Sequence, residues 1–230
     1  MQFSLDAVVP ILHVILGKVG ILMYNFVTEP ARPNAPTKPS APALANPAPL
    51  GLSAFALTTF VLSTVNAGLI AGPTTNIILS LALFYGGLAQ FCAGMWEFKT
   101  GNTFGATAFT SYGAFWLTVG FALLPIFPDK SLVALAGADG MGIFFLGWTI
   151  FTGIMFLGTF KLNLSLVAVF FFLFLTFLFL TISELQPSAD MKMYAGWLGL
   201  VTACLAWYSA LAQVLAGTNS PIKLPLFPLS

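Results

Sequence analysis

Residues 162–183 read LNLSLVAVFFFLFLTFLFLTIS and contain no Asp, Glu, Lys or Arg. About 20 mostly apolar residues in a helix cross the hydrocarbon core of a bilayer, so this stretch is long enough to span one. Backbone groups in hydrocarbon must be paired within the segment or around a closed sheet. The run is too long and too uniformly apolar for a barrel strand, which alternates over about ten residues. It therefore predicts a transmembrane helix.

Five further apolar runs of similar length surround this stretch. They cover 50–71, 75–96, 103–124, 140–158 and 193–216, and they carry charged residues only near their ends. The whole chain is 58% hydrophobic and 7% charged, against about 25% charged residues in a soluble domain. We therefore predict an all-α integral membrane protein with a six-transmembrane-helix bundle over residues 50–217.

The residues outside the bundle fall into three segments. Residues 1–27 are apolar but are interrupted by Asp6, Pro10, His13 and Lys18, and one side carries at helical spacing Asp6, Pro10, His13, Gly17, Gly20 and Tyr24. This pattern predicts either an amphipathic surface helix or a start-site artefact with translation from Met23, and a seventh span is the third alternative. Residues 28–49 are a Pro-rich tail, which we expect to be extended before it caps the first helix. Residues 218–230 are a C-terminal tail.

The basic residues predict the orientation. Two of the eight Lys and Arg residues, Lys130 and Lys192, fall on one side of the predicted spans and the other six fall on the opposite side. Because Lys and Arg concentrate in cytoplasmic segments, both termini are predicted to be cytosolic. The Pro-rich tail favours a plasma-membrane protein.

The composition also excludes several functions. None of the six runs has a charged residue near its centre, and the single histidine, His13, lies outside them. This disfavours a protein proton relay or a voltage sensor. Neither a metal site, a cofactor nor an enzyme is expected, and the net charge of +1 argues against nucleic acid. We expect Cys92 and Cys204 to be small buried residues.

The carboxylates of the membrane region stand at the ends of the runs or between them. They are Glu97, Asp129, Asp139, Glu184 and Asp190. A charged group at the membrane surface keeps its contact with water, so we expect these five to be solvated.

Uncharged polar residues recur inside the runs. Phe55, Thr59, Leu62 and Asn66 share one helix face. Gln90 lies deep in the second run, where an unpaired amide would cost several kcal/mol. It must either bond to another helix or line a wet path, and both alternatives stay open here.

The start of the first run resembles a helix N-terminus. Asn46 is a good N-cap residue and Pro47 suits the first turn. Free N–H groups and the positive dipole end at such a position attract anions. Simple capping of the first helix is the alternative to an anion-binding role for Asn46.

Four stretches carry a family resemblance. They are NPAPLGLSAFALTT (46–59), FYGGLAQ (84–90), AGMWEFKTGNTFG (93–105) and TAFTSYGAFWL (107–117). Together they resemble the acetate uptake transporter family, the YaaH-type succinate–acetate permeases. The resemblance is dense from residue 46 to about residue 124 and thinner beyond, and residues 1–45 and the tail after residue 217 fall outside it.

The resemblance implies a homohexamer in which each six-helix subunit has a central pore. It also implies transport of acetate and related short-chain carboxylates, channel-like or coupled to a proton. The family's hydrophobic constriction falls on Phe55, Tyr112 and Leu173, the last placed by counting from Gly158-Thr159. Beside it, the candidate substrate-binding residues are Asn46, Thr58, Thr59, Asn66, Gln90 and Ser111.

The predicted path has no titratable group at its centre, so we hypothesise that any proton travels on the carboxyl group of the substrate. Two other functions remain open from the sequence. One is ammonium or ammonia export, although pore histidines are missing. The other is a non-transporting membrane acid sensor with the Pro-rich tail as its partner site.

Overall fold

The computed structural model describes residues 44–70, 75–125 and 130–229, and those from Ala45 onward form one unit. Seven α-helices follow one another in this part of the chain: α1 Ala48–Asn66, α2 Thr75–Leu83, α3 Gln90–Thr100, α4 Thr103–Leu123, α5 Leu132–Gly158, α6 Leu164–Leu185 and α7 Ala189–Gly217. The predicted all-helical fold is confirmed. The segment predicted for residues 1–27 and the Pro-rich tail up to residue 43 lie outside the described residues.

Within the described residues, five helices are long and apolar enough to cross a membrane. They are Ala48–Asn66, Asn76–Thr100, Leu132–Lys161, Leu164–Leu185 and Ala189–Gly217. Helix α4 has 21 residues and no charged side chain, but its Thr, Ser, Tyr and Gly residues make it more polar than a typical span. The chain is thus an integral membrane protein built from apolar helices.

The second span contains a π-helical turn that the sequence did not predict. This turn, Phe84–Ala89, joins α2 to α3 and places Gln90 at the first position of α3. A Cβ atom on Gly86 would lie 2.6 Å from Oγ1 of Thr58 in α1. The turn therefore brings the two spans into a close approach that only glycine allows. Such turns occur frequently at functional sites.

Gly86→Ala is expected to destabilise the protein by about 1–3 kcal/mol, the usual cost of overpacking a tight contact. The added methyl group has no room beside Thr58. Thr58→Ala in the same chain should recover part of the loss, because it removes Oγ1 and Cγ2. Thermal unfolding in detergent measures both effects. Gly147→Ala is the matched control, since a Cβ there meets nothing within 4 Å; equal melting of the two alanine variants would contradict the contact.

Helix α5 begins earlier than the sequence indicates. The predicted run starts at residue 140, whereas α5 starts at Leu132, with the Ser131 hydroxyl accepting a hydrogen bond from Ala134 N–H at 3.3 Å. Gly137 has φ 65° and ψ −177°, which breaks α5 into two helical pieces. Glycine adopts this left-handed φ without steric cost. The second piece corresponds to the predicted run.

Four pairs of helices make the most extensive contacts in the bundle. Helix α7 packs against α1 and α6, α6 also packs against α5, and α3 packs against α4. Large apolar side chains of α5 point outward, and Ile143, Ile150, Ile154 and Leu157 are each more than half exposed. Such an outward apolar face suits a lipid environment.

Cys92 and Cys204 are also exposed, so the expectation that they are buried was wrong.

Glu97 is buried, which contradicts the expectation of a solvated carboxylate. Only 1% of its surface is exposed. Its Oε2 accepts a hydrogen bond from the Thr100 hydroxyl at 3.1 Å, and its carboxyl group packs against Gly105. The side chain folds back between the ends of α3 and α4 instead of reaching outward. Glu184 does stay partly exposed and pairs with Lys192 at 3.7 Å.

Candidate transport path

Two cavities lie end to end in the bundle. Cavity 1 has a volume of about 420 Å³ and cavity 2 about 620 Å³. Two residues, Phe55 of α1 and Leu173 of α6, line both cavities. Their side chains are 5% and 3% exposed. They therefore form an apolar wall between the two spaces.

Tyr112 of α4 completes this wall on the side of cavity 1. Its ring centroid lies 5.9 Å from that of Phe55, and it lines cavity 1 together with Phe55 and Leu173. The hydroxyl group pairs with the Thr152 hydroxyl of α5 at 2.9 Å, which fixes the ring in a buried position. The structure thus brings the three predicted constriction residues together.

The ends of three helices open onto cavity 1. Ala48 at the start of α1 lines it, as do the N-cap residues of α4 and α6, Asn102 and Asn163. The two asparagine Oδ1 atoms accept hydrogen bonds from Gly105 N–H at 3.0 Å and Leu166 N–H at 2.9 Å. Helix N-termini carry partial positive charge. The end of cavity 1 remote from the wall therefore favours an anion.

Lys161 adds a full positive charge to cavity 1. It ends the 3₁₀ turn Thr159–Lys161 that follows α5. Among the described residues that line the cavity, it is the one charged side chain. Together with the three helix ends, it makes this end of the bundle attractive to carboxylates and repulsive to small cations.

Gln90 is the buried polar group of cavity 1. The residue is 1% exposed and lines the cavity. Its Oε1 atom has no hydrogen-bond partner in the part of the chain that the structure describes. Leaving such an atom unpaired costs about 1–3 kcal/mol. The sequence left open whether Gln90 bonds to another helix or lines a wet path. The geometry favours the second alternative, in which Oε1 is free to accept a hydrogen bond from a ligand or water.

Cavity 2 is lined by a face of α1 that the sequence singled out. Phe55, Thr59, Leu62 and Asn66 all contribute to its surface. The Thr59 hydroxyl and the Trp116 indole N–H are buried there without a hydrogen-bond partner among the described residues. Cavity 2 therefore offers neutral hydrogen-bonding groups. Glu184 and Lys192, which form an ion pair, also line it.

The remaining predicted site residues lie beside the cavities. The Thr58 hydroxyl donates to Ala54 C=O at 2.9 Å and packs against Gly86, and neither Thr58 nor the half-buried Ser111 lines either cavity.

Asn46 is exposed and precedes the first helix. Its Nδ2 donates to Gln213 Oε1 at 2.9 Å, and its Oδ1 accepts from Ala48 N–H at 3.0 Å. The N-cap position itself is occupied by Pro47, so Asn46 bonds the helix from one residue further out. Gln213 lines cavity 1, which places Asn46 at its rim.

Sequence reasoning missed several residues that line cavity 1. Asn102, Lys161, Asn163, Gln213 and Leu226 come from caps, a turn, the end of α7 and the C-terminal tail. A signal for two of them existed, because Asn102 stands directly before the run 103–124 and Asn163 is the second residue of the run 162–183, near a helix start where N-caps occur. Nothing local in the sequence marks the other three.

Two cavities that meet at an apolar wall inside a bundle of membrane helices define a transport protein of the membrane. The chain belongs to the GPR1/FUN34/yaaH family, whose model matches residues 29–230. The resemblance read from the four sequence stretches is thereby confirmed.

Several relatives are transport proteins rather than enzymes. Acetate permease A of Emericella nidulans is 44% identical over 201 residues, covering 81% of this chain and 67% of the relative. The succinate-acetate/proton symporter SatP of Escherichia coli is 45% identical over 183 residues, covering 80% and 95%. The solved structure of the bacterial acetate channel SatP superimposes with a TM-score of 0.72 at 41% identity, covering 80% of this chain and 99% of that one. The chain thus spans about two thirds of the fungal relative and nearly all of the bacterial one.

Proposed function

We propose that this protein conducts acetate and related short-chain carboxylates across the membrane. The path runs within one subunit through cavity 1, past the wall of Phe55, Tyr112 and Leu173, and into cavity 2. The observation that carries the proposal is that Phe55 and Leu173 line both cavities. The activities named for the relatives, an acetate permease and a succinate-acetate/proton symporter, support the substrate class.

Helix α4 acts as the sixth span in this proposal. It contributes Phe104 and Tyr112 to cavity 1, and Phe115 and Trp116 to cavity 2. It therefore runs past both cavities and the wall between them. Its buried face carries Gly105, Tyr112, Gly113 and Gly120, and such small and polar residues at helix contacts make a less apolar span acceptable in a membrane. Six spans around a central pore follow.

The chemistry of the path favours an acid that crosses the wall without charge. Moving a bare carboxylate into an apolar medium costs, in the limit, tens of kcal/mol. Cavity 1 can receive the anion through Lys161 and the helix ends, but the wall offers apolar side chains and a tyrosine hydroxyl already bonded to Thr152. A proton on the carboxyl group of the substrate removes most of the penalty. The protonated acid can then donate to Gln90 Oε1, which lacks a donor.

The orientation and assembly follow from charge and exposed surface. Lys161 marks the cavity 1 end of the bundle, and the positive-inside rule assigns that end to the cytosol. Both termini are then cytosolic, and the Pro-rich tail of the sequence supports the plasma membrane as the location. The outward apolar residues of α5, Ile143, Ile150, Ile154 and Leu157, suit contacts with lipid or with the neighbouring subunits of a homohexamer.

Flux into vesicles that contain the purified protein tests the proposal. Radiolabelled acetate, lactate, succinate and ammonium are compared at several pH values against protein-free vesicles. We expect acetate uptake above the protein-free rate, rising as the pH falls in step with the protonated acid. Uptake that follows the anion and ignores protons would refute the coupling alone. Transport of ammonium only, or of no solute, would refute the proposed function.

Lys161→Gln should lower acetate uptake at low acetate concentration and low ionic strength in vesicles whose cavity 1 end faces the acetate solution. The lost charge stands in cavity 1, where it attracts the anion before the anion is protonated. Salt screens such attraction, with a Debye length of about 3 Å at 1 M, so the deficit should shrink in concentrated salt. The control is Lys223→Gln, because Lys223 is exposed and lines neither cavity. A deficit independent of salt would contradict the electrostatic role.

A further inference from the structure

The C-terminal tail is tied to the start of α6. Residues 220–229, here called the strap, run antiparallel to the turn before α6 and pair with it at Asn163 and Pro228. The Leu164 N–H donates to Phe227 C=O at 2.9 Å, and the Leu229 N–H donates to Leu162 C=O at 3.2 Å. A third bond joins Ser165 N–H to Leu226 C=O at 3.4 Å. The strap therefore supplies carbonyl groups to helical N–H groups that have no partner within α6.

Two further features fix the conformation of the strap. The Tyr208 hydroxyl of α7 donates to Pro225 C=O at 2.7 Å. Phe227 has φ 55°, a left-handed value that is a rare conformation for a bulky residue. A residue adopts such a conformation when its surroundings impose it. The bonds to α6 and α7 on either side of Phe227 provide that constraint.

The strap turns one leucine toward the path. Leu226 is half-buried and lines cavity 1, whereas Ile222, Phe227 and Leu229 are 62%, 53% and 46% exposed. Ser165, which bonds Leu226, precedes Leu173 by eight residues of α6, or about 12 Å along the helix. Leu226 and the wall thus stand at opposite ends of cavity 1.

We propose that Leu226 is a specificity-determining residue that closes the far end of cavity 1 and limits the acids that reach the wall. The inference rests on the proposed function. An acid whose carboxylate is held near Lys161 and the helix ends has Leu226 beside it. A longer acid meets the leucine side chain, and a second carboxylate finds no hydrogen-bond donor on it. Leu226 therefore favours a short monocarboxylate over a dicarboxylate.

Substitution of Leu226 in the full-length protein tests the inference. Leu226→Ala lengthens cavity 1, so the ratio of succinate to acetate uptake should rise several-fold, and about ten-fold is the scale of one methylene group in an apolar pocket. Leu226→Trp shortens the cavity and should lower the same ratio. The main-chain bonds to α6 remain in both variants. Leu229→Ala is the matched control, because Leu229 lies on the strap but lines neither cavity.

The outcomes separate the inference from the proposed function. Wild-type protein that moves no acetate would refute the proposed function. Wild-type acetate uptake with an unchanged succinate ratio in Leu226→Ala and Leu226→Trp would refute the role of Leu226. If Leu226→Trp does not reach the membrane, Leu226→Phe is used as the variant with the larger side chain. A lowered ratio of succinate to acetate uptake then supports the role of Leu226, and an unchanged ratio refutes it.

Discussion

Leu173→Ala is expected to raise the uptake of lactate and succinate relative to acetate by about ten-fold or more. Leu173 lines both cavities and is 3% exposed, so its truncation removes part of the wall between them. One methylene group changes discrimination in an apolar pocket by about 10- to 200-fold. Initial uptake rates of the three acids in vesicles give the ratios. Phe55→Ala, on the opposite side of the wall, should act in the same direction.

The matched control for Leu173→Ala is Leu175→Ala. Leu175 belongs to the same helix and is half-buried, but it lines neither cavity. It should leave the ratios unchanged, although it removes the same atoms. Unchanged ratios in both Leu173→Ala and Phe55→Ala, with normal amounts of protein in the membrane, would show that substrate does not pass the wall.

Gln90→Leu is expected to lower acetate uptake by up to about ten-fold while the protein becomes slightly harder to unfold. Gln90 Oε1 is buried without a partner in the described structure, and relieving an unpaired polar atom returns up to about 1–3 kcal/mol. The loss of uptake has the same origin, because the hydrogen bond from the protonated acid to Gln90 Oε1 is worth about 0.5–1.5 kcal/mol and leucine offers none. Vesicle uptake and thermal unfolding in detergent give the two readings.

Thr110→Val provides the comparison for Gln90→Leu. The Thr110 hydroxyl is likewise buried without a partner among the described residues, but Thr110 lines neither cavity. We expect its removal to preserve uptake and, by the same relief of an unpaired polar atom, to make the protein slightly harder to unfold. A Gln90→Leu protein that transports normally, or that loses uptake only because it unfolds, would contradict a role for the amide in the path.

The general architecture was accessible from the sequence because a membrane imposes simple rules. Long charge-free runs predict helices, and residues spaced by three and four share a face. The face of Phe55, Thr59, Leu62 and Asn66 on α1 was found in this way, and all four residues line cavity 2. The constriction came from the family resemblance instead, since spacing alone does not separate Leu173 from its apolar neighbours.

Features that depend on contacts between distant segments were not accessible. The π-helical turn at Phe84–Ala89 accompanies the approach of Gly86 to Thr58, which lies on another span. The burial of Glu97 depends on α4 folding back against α3. The strap reaches cavity 1 through hydrogen bonds between Phe227 and Leu164. No local pattern encodes these three contacts.

The most direct test of a path between the cavities is chemical block at the wall. Cys92 and Cys204, both exposed, are first replaced by serine, and Leu173→Cys or Leu175→Cys is added. Benzyl methanethiosulfonate, which attaches a benzylthio group larger than the leucine side chain, should then stop most acetate uptake in the Leu173→Cys protein, acetate should slow the reaction, and the Leu175→Cys protein should keep its uptake. If mass spectrometry shows that the Leu173→Cys thiol has reacted while acetate uptake is unchanged, acetate does not pass between Phe55 and Leu173.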